Sequence, residues 1–163
     1  MKYRLLTKDE LEELEKEFVT FLAANGIPAE DWVRIKENEP AKSQELIAIF
    51  SDVVFDKILS QVHYLEHRQP DIIRIFRFGE EKVIMNGLRL EGKSAIDFTK
   101  NQDVTALMQL FKLSPGKLKI FTAEKTYQKD RLQEIFQLMQ NSAQILKDDR
   151  LFSTIEQLKN AKP

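Results

Sequence analysis

Val62-His63-Tyr64-Leu65-Glu66-His67-Arg68, Ile72-Ile73-Arg74-Ile75-Phe76-Arg77-Phe78 and Lys82-Val83-Ile84-Met85-Asn86-Gly87-Leu88-Arg89-Leu90 are three consecutive runs rich in β-formers. Gln69-Pro70-Asp71 and Gly79-Glu80 supply turns between them. The pattern predicts an antiparallel meander. Asn86-Gly87 has two readings. As a two-residue hairpin turn it sets Met85 opposite Leu88 and Val83 opposite Leu90. Within one long strand, Gly87 marks a bulge. The apolar match tips the expectation toward the hairpin.

Helical periods lie on both sides of the meander. Thr7 and Glu10 form a capping-box pair ahead of Leu11, Leu14, Phe18, Phe21 and Leu22. With Asn25-Gly26 as the stop, a helix over about 7–25 is predicted. Pro28 opens a short helix carrying Trp32, Val33 and Ile35. A third helix, about 41–60, is apolar on most of its circumference, which marks a helix buried in a core or facing a partner. After a break at Gly92-Lys93-Ser94, a helix near 101–112 is expected. Ser114-Pro115-Gly116 then turns the chain into the strand Lys117–Thr122. Leu132, Ile135, Phe136, Met139, Ala143 and Leu146 predict a long helix over about 127–146. Asp148 or Asp149 caps a last helix holding Leu151, Phe152, Ile155 and Leu158. The expected fold is α+β: N-terminal helices, a small, mainly antiparallel sheet (a meander plus one later strand), and C-terminal helices. At 163 residues, with no repeat or linker, residues 1–163 are expected to form a single domain.

Charge divides the chain. Residues 1–66 carry 8 Lys/Arg against 14 Asp/Glu, a net −6, and residues 67–163 carry 17 against 12, a net +5. The chain's formal charge of −1 hides this asymmetry, which can steer a partner or pair the molecule with itself. The absence of cysteine removes disulfides, thiolate metal sites and cysteine nucleophiles. No long apolar run is present and no signal-peptide core follows Met1, so a cytoplasmic protein without a membrane span is expected.

Met1-Lys2-Tyr3-Arg4-Leu5-Leu6-Thr7-Lys8-Asp9-Glu10-Leu11-Glu12-Glu13-Leu14-Glu15, Asp31-Trp32-Val33-Arg34-Ile35-Lys36 and Tyr64-Leu65-Glu66 resemble a family of uncharacterised small bacterial proteins, best represented in Bacteroidota. The resemblance rests on helix and strand sequences, not on catalytic signatures. It implies a bacterial cytosolic protein and assigns no activity or site residue.

Candidate sites are few. His63-x-x-Glu66-His67 matches an inverted zinc-protease motif, whose two histidines must lie one helical turn apart. On a strand, residues four apart are separated by roughly 13 Å, too far for one metal. The segment's β character therefore favours ordinary histidines, and no metal or other cofactor is expected. The glycines at 26, 79, 87, 92 and 116 are scattered, so no phosphate-cradling loop can be built. No catalytic residue is assigned.

The basic half is more specific. Arg74, Arg77 and Arg89 stud the meander, and Lys117, Lys119 and Phe121 share one face of the later strand. They are the expected partner-binding residues. The favoured function is a non-catalytic protein-interaction or regulatory domain whose partner is a second copy or another protein. A nucleic-acid module using the basic sheet face stands second, against a sequence pI near 6.2 that disfavours strong phosphate binding. A small enzyme with an unrecognised pocket stands third.

Overall fold

Thr7 starts the first helix as its sequence predicts. Its hydroxyl accepts the Glu10 N–H at 3.2 Å, and the Glu10 carboxylate accepts the Thr7 N–H at 2.7 Å. In the computed structural model, residues 1–92, 96–100, 103–113 and 118–160 are described. They fall into two compact units, Met1–Ser60 and Gln61–Pro163.

The first unit is helical: α1 (Lys8–Glu13), α2 (Glu15–Ala24), α3 (Ala29–Asn38) and α4 (Pro40–Ser60). The expected single helix over 7–25 is interrupted at Leu14, whose backbone leaves the helical region at φ −102°, ψ 23°. Gly26, at φ 75°, ends α2 in the left-handed conformation. The Ile27 N–H reaches back to the Leu22 carbonyl at 2.8 Å, and the Gly26 N–H to Ala23 at 3.0 Å. The core between α2, α3 and α4 is aromatic. Phe18 meets Trp32 edge-on at 5.0 Å and Phe50 at 4.9 Å, and Phe21 meets Phe50 at 5.3 Å. Leu22 and Ile35 are buried beside them.

The N-terminal residues are strapped onto α4. The Lys2 and Tyr3 N–H groups donate to the Asp52 carboxylate, the Tyr3 hydroxyl to Asp56 at 2.7 Å, and the Leu6 N–H to the buried Ser51 hydroxyl at 3.0 Å. Arg4 grips Glu10 through two bonds of 2.9 Å each. These bonds, helped by the Thr7 N–H, pull the Glu10 carboxyl down to about 2.

The second unit holds the sheet. The meander forms from β1 (Tyr64–Gln69), β2 (Ile72–Phe78) and β3 (Lys82–Leu90). Then come α5 (Val104–Leu113), β4 (Leu118–Thr126), α6 (Arg131–Gln140), β5 (Gln144–Leu146) and α7 (Arg150–Asn160). The strand order is β4-β3-β2-β1-β5 and every pairing is antiparallel. With helices at both ends of the chain, the fold is α+β, as the sequence predicts.

Two expectations are corrected here. Asn86-Gly87 lies inside β3 and is not a hairpin turn. Gly87 pairs with Arg74 on one side and Phe121 on the other. Its φ is not positive, as a type I′ turn would require. The helix expected over 127–146 ends at Gln140. Ser142 takes φ 75°, and the Ala143 N–H returns to the Leu138 carbonyl at 3.1 Å. That closes α6 with a Schellman cap and releases Gln144–Leu146 to pair with β1. The expected turn at Ser114-Pro115-Gly116 lies outside the described residues, as do Lys93, Ser94, Asn101, Gln102 and Lys117.

Strand alternation sorts the sheet into two faces. Ile73, Ile75, Leu88, Leu90 and Leu118 point to one and pack with Phe98, Leu107, Leu151, Phe152 and Ile155 as the unit's core. Each such side chain, fully buried, stabilises by roughly 1.5–3 kcal/mol. Asn86 also sits on this face, fully buried, donating to Glu156 at 2.9 Å and accepting from Thr122 at 3.2 Å. The opposite face carries Arg74, Phe76, Met85, Gly87, Arg89, Lys119, Phe121, Ala123 and Lys125. At its Lys125 end α6 stands over the strands, with Lys125 paired to Glu134 at 3.2 Å.

Candidate interaction face

Alternation along β4 puts Lys119 and Phe121 on one face. The β3–β4 register sets them opposite Arg89 and Gly87. The β2–β3 register then adds Arg74 on the far side of Gly87. These residues, 47 positions apart at the extremes, share one patch because three antiparallel strands bring them into line.

Gly87 makes the patch what it is. A Cβ there would overlap the Cζ, Cε1 and Cε2 atoms of Phe121, so the ring lies over the glycine backbone. The guanidinium of Arg89 sits 5.3 Å from the ring centroid and that of Arg74 5.9 Å, both within cation–π range. Arg74 also donates to Gln69 at 3.1 Å, which fixes its direction. Among the described residues, no carboxylate lies within ion-pair distance of Arg74 or Arg89. Lys119 differs, being paired with Glu91 at 3.0 Å.

Three of the sequence-predicted residues, Arg74, Arg89 and Phe121, therefore converge, and Lys119 borders them. Arg77 does not join. It points to the opposite face, where its guanidinium lies 4.9 Å from the Phe152 ring centroid. Lys117 lies outside the described residues. The histidine motif is not helical. His63 precedes β1, while Glu66 and His67 lie within it on opposite faces, with Glu66 paired to Arg68 at 3.1 Å. Among the described residues no three His, Asp or Glu side chains gather as metal ligands.

A second feature escapes sequence reading. Beside the Phe121 patch the same face forms two adjoining depressions, of about 310 and 190 Å³, that share Phe76, Val83 and Lys125. Their walls include Glu134 of α6, a largely buried carboxylate. Burial works to raise it, but the Gln128 N–H at 2.7 Å and the Lys125 ammonium outweigh burial and hold it below the usual range. Gly87 was the available signal for this face, since a strand-interior glycine marks a close approach by a neighbour.

Residues 1–160 match the sequence pattern of a family described as a family of unknown function, DUF6495. The chain belongs to that family. No curated protein and no solved structure matches the chain. Membership in DUF6495 places the whole α+β architecture, both units together, within one family. Among the described residues, no helix is long and apolar enough to cross a membrane.

Proposed function

We propose that this DUF6495 member is a non-catalytic interaction domain of the bacterial cytosol. In this reading the whole chain acts as one functional domain and self-associates. The Arg74–Phe121–Arg89 face of one copy takes the acidic α1–α2 surface of another. The observation that carries the reading is the pair of guanidinium groups held on one ring, with no carboxylate of the described residues within ion-pair distance of either. Charge complementarity supports the choice of partner. Residues 1–60 carry 8 Lys/Arg against 13 Asp/Glu, a net −5, and residues 61–163 carry 17 against 13, a net +4. Glu12, Glu13, Glu15 and Glu17 are exposed on α1 and α2, and among the described residues none has a cation within ion-pair distance. Opposite potentials of this kind steer encounter and set register.

Sedimentation velocity at micromolar concentration tests the reading. Association that weakens as salt rises is expected, because exposed charge pairs are screened. A monomer at low salt overturns it.

One observation favours a second reading. An aromatic ring flanked by guanidinium groups is a stacking platform for a single-stranded nucleic acid. Salt-sensitive binding of a mixed-sequence oligonucleotide, lost in Phe121→Ala, is the outcome that would move the assignment there.

A further inference from the structure

We infer that the trough beside Phe121 is a binding site for a small amphipathic carboxylate, its head on Arg74 and Arg89 and its apolar body along β2–β4. The sheet register orders the site in rows. Phe121, Gly87 and Arg74 form one row; Ala123, Met85 and Phe76 form the next; Lys125, Val83 and Phe78 form the third. Successive rows on one face are about 7 Å apart, so the apolar floor extends roughly 13 Å from the guanidinium end. Two adjoining depressions of about 310 and 190 Å³ lie over the second and third rows, next to the guanidinium row, and the larger is on the scale of a small ligand. Phe76, Val83, Met85 and Ala123 line them, with Leu138 of α6 as a wall.

The two ends differ in their demand for charge. At the α6 end the Glu134 carboxylate is already satisfied by the Gln128 N–H at 2.7 Å and by Lys125 at 3.2 Å. At the other end Arg74 and Arg89 have no carboxylate partner among the described residues. An anionic head therefore belongs beside Phe121, where a guanidinium matches a carboxylate in plane and in hydrogen-bond geometry. An apolar body then covers Met85 and Phe76, which are only partly buried. This inference uses the same face as the proposed function but does not depend on self-association.

The test follows the methyl signal of Met85 by NMR in the full chain, with octanoate, octanol and acetate as probes. Octanoate is expected to shift Met85 saturably. Octanol and acetate should each bind roughly tenfold more weakly, since each lacks one half of the match. Arg74→Ala and Arg89→Ala should weaken octanoate by a similar factor. Ala123→Phe, which fills the trough from an exposed edge position, should abolish it with both arginines intact. Equal binding of octanol, indifference to the arginine variants, or a matching shift at Met108 would overturn the inference. A chain that stays monomeric yet binds octanoate in this pattern supports it while removing the self-association reading.

Discussion

The ring of Phe121 lies over Gly87, its partner across β3 and β4, in the space that any side chain at 87 would need. This packing turns two guanidinium groups toward one ring. Gly87→Ala forces the ring to swing away. Because only the far end of a side chain must yield, the expected cost is about 1 kcal/mol, the low end of overpacking. In the double variant Gly87→Ala/Phe121→Ala the two losses should be less than additive. Urea denaturation of the four forms measures this, and strict additivity would mean the two residues do not share the space.

Ser142 holds a positive φ that an L side chain adopts at a cost of roughly 1–2 kcal/mol. Ser142→Gly should therefore raise stability by about 1 kcal/mol, with the α6 cap kept. Ser142→Val should lower it. The midpoint of chemical unfolding reads both, and the order Gly above Ser above Val is the expected result.

Acid should loosen the first unit. The Glu10 carboxyl sits at about 2 in the folded chain against an ordinary 4.5, chiefly through its hydrogen bonds from Arg4. The folded state thus holds the proton less readily than the unfolded state. The clamp's contribution is complete above about 4.5 and is lost as pH falls toward 2. Glu134 and Glu156 are also lowered, so they act with the same sign. Glu10→Gln should flatten part of the decline in stability below pH 4.5. At neutral pH it should cost about 1 kcal/mol or less, because the pair is more than a third exposed. An unchanged acid profile in the variant would show that the Arg4 clamp does not report on folding.

Asn86 is the buried polar centre of the opposite sheet face, donating to Glu156 and accepting from Thr122. Asn86→Leu keeps the branching of the side chain but removes both bonds. Glu156 retains Lys159 at 3.0 Å and the Thr122 hydroxyl retains the Met85 carbonyl at 3.1 Å, so a loss of about 1 kcal/mol is expected. Thermal unfolding measures it. A neutral effect would mean that Lys159 and the Met85 carbonyl satisfy the two partners without the amide.

The sheet was legible in the sequence where chemistry and period agreed. Ile72–Phe78 and Lys82–Leu90 are strands with the bounds their β-formers predicted. Asn86-Gly87 was not legible, because a hairpin and a continuous strand satisfy the same local alternation. Only the pairing of Gly87 with Arg74 and Phe121, residues distant in sequence, decides between them. Ala143 and Leu146 are in helical phase with Ile135 and Met139, so periodicity carried the expected helix too far. The stop lies in a serine at positive φ, which has no sequence signature comparable to glycine's. For the candidate site, alternation alone placed Lys119 with Phe121. Adding Arg74 and Arg89, and removing Arg77, required the register of three strands. The trough needed α6 in place over Val83 and Lys125, a packing relation that no local pattern encodes.

Reciprocal charge reversal tests the central claim most directly. One variant carries Arg74→Glu/Arg89→Glu and a second carries Glu13→Lys/Glu17→Lys. Each alone sets like charges against each other and should sediment as a monomer at micromolar concentration. Mixed in equal amounts, they restore opposite charges at every contact, and association should return with its salt sensitivity. A mixture that stays monomeric while the native chain associates would contradict the assignment of the Arg74–Phe121–Arg89 face to the acidic α1–α2 surface.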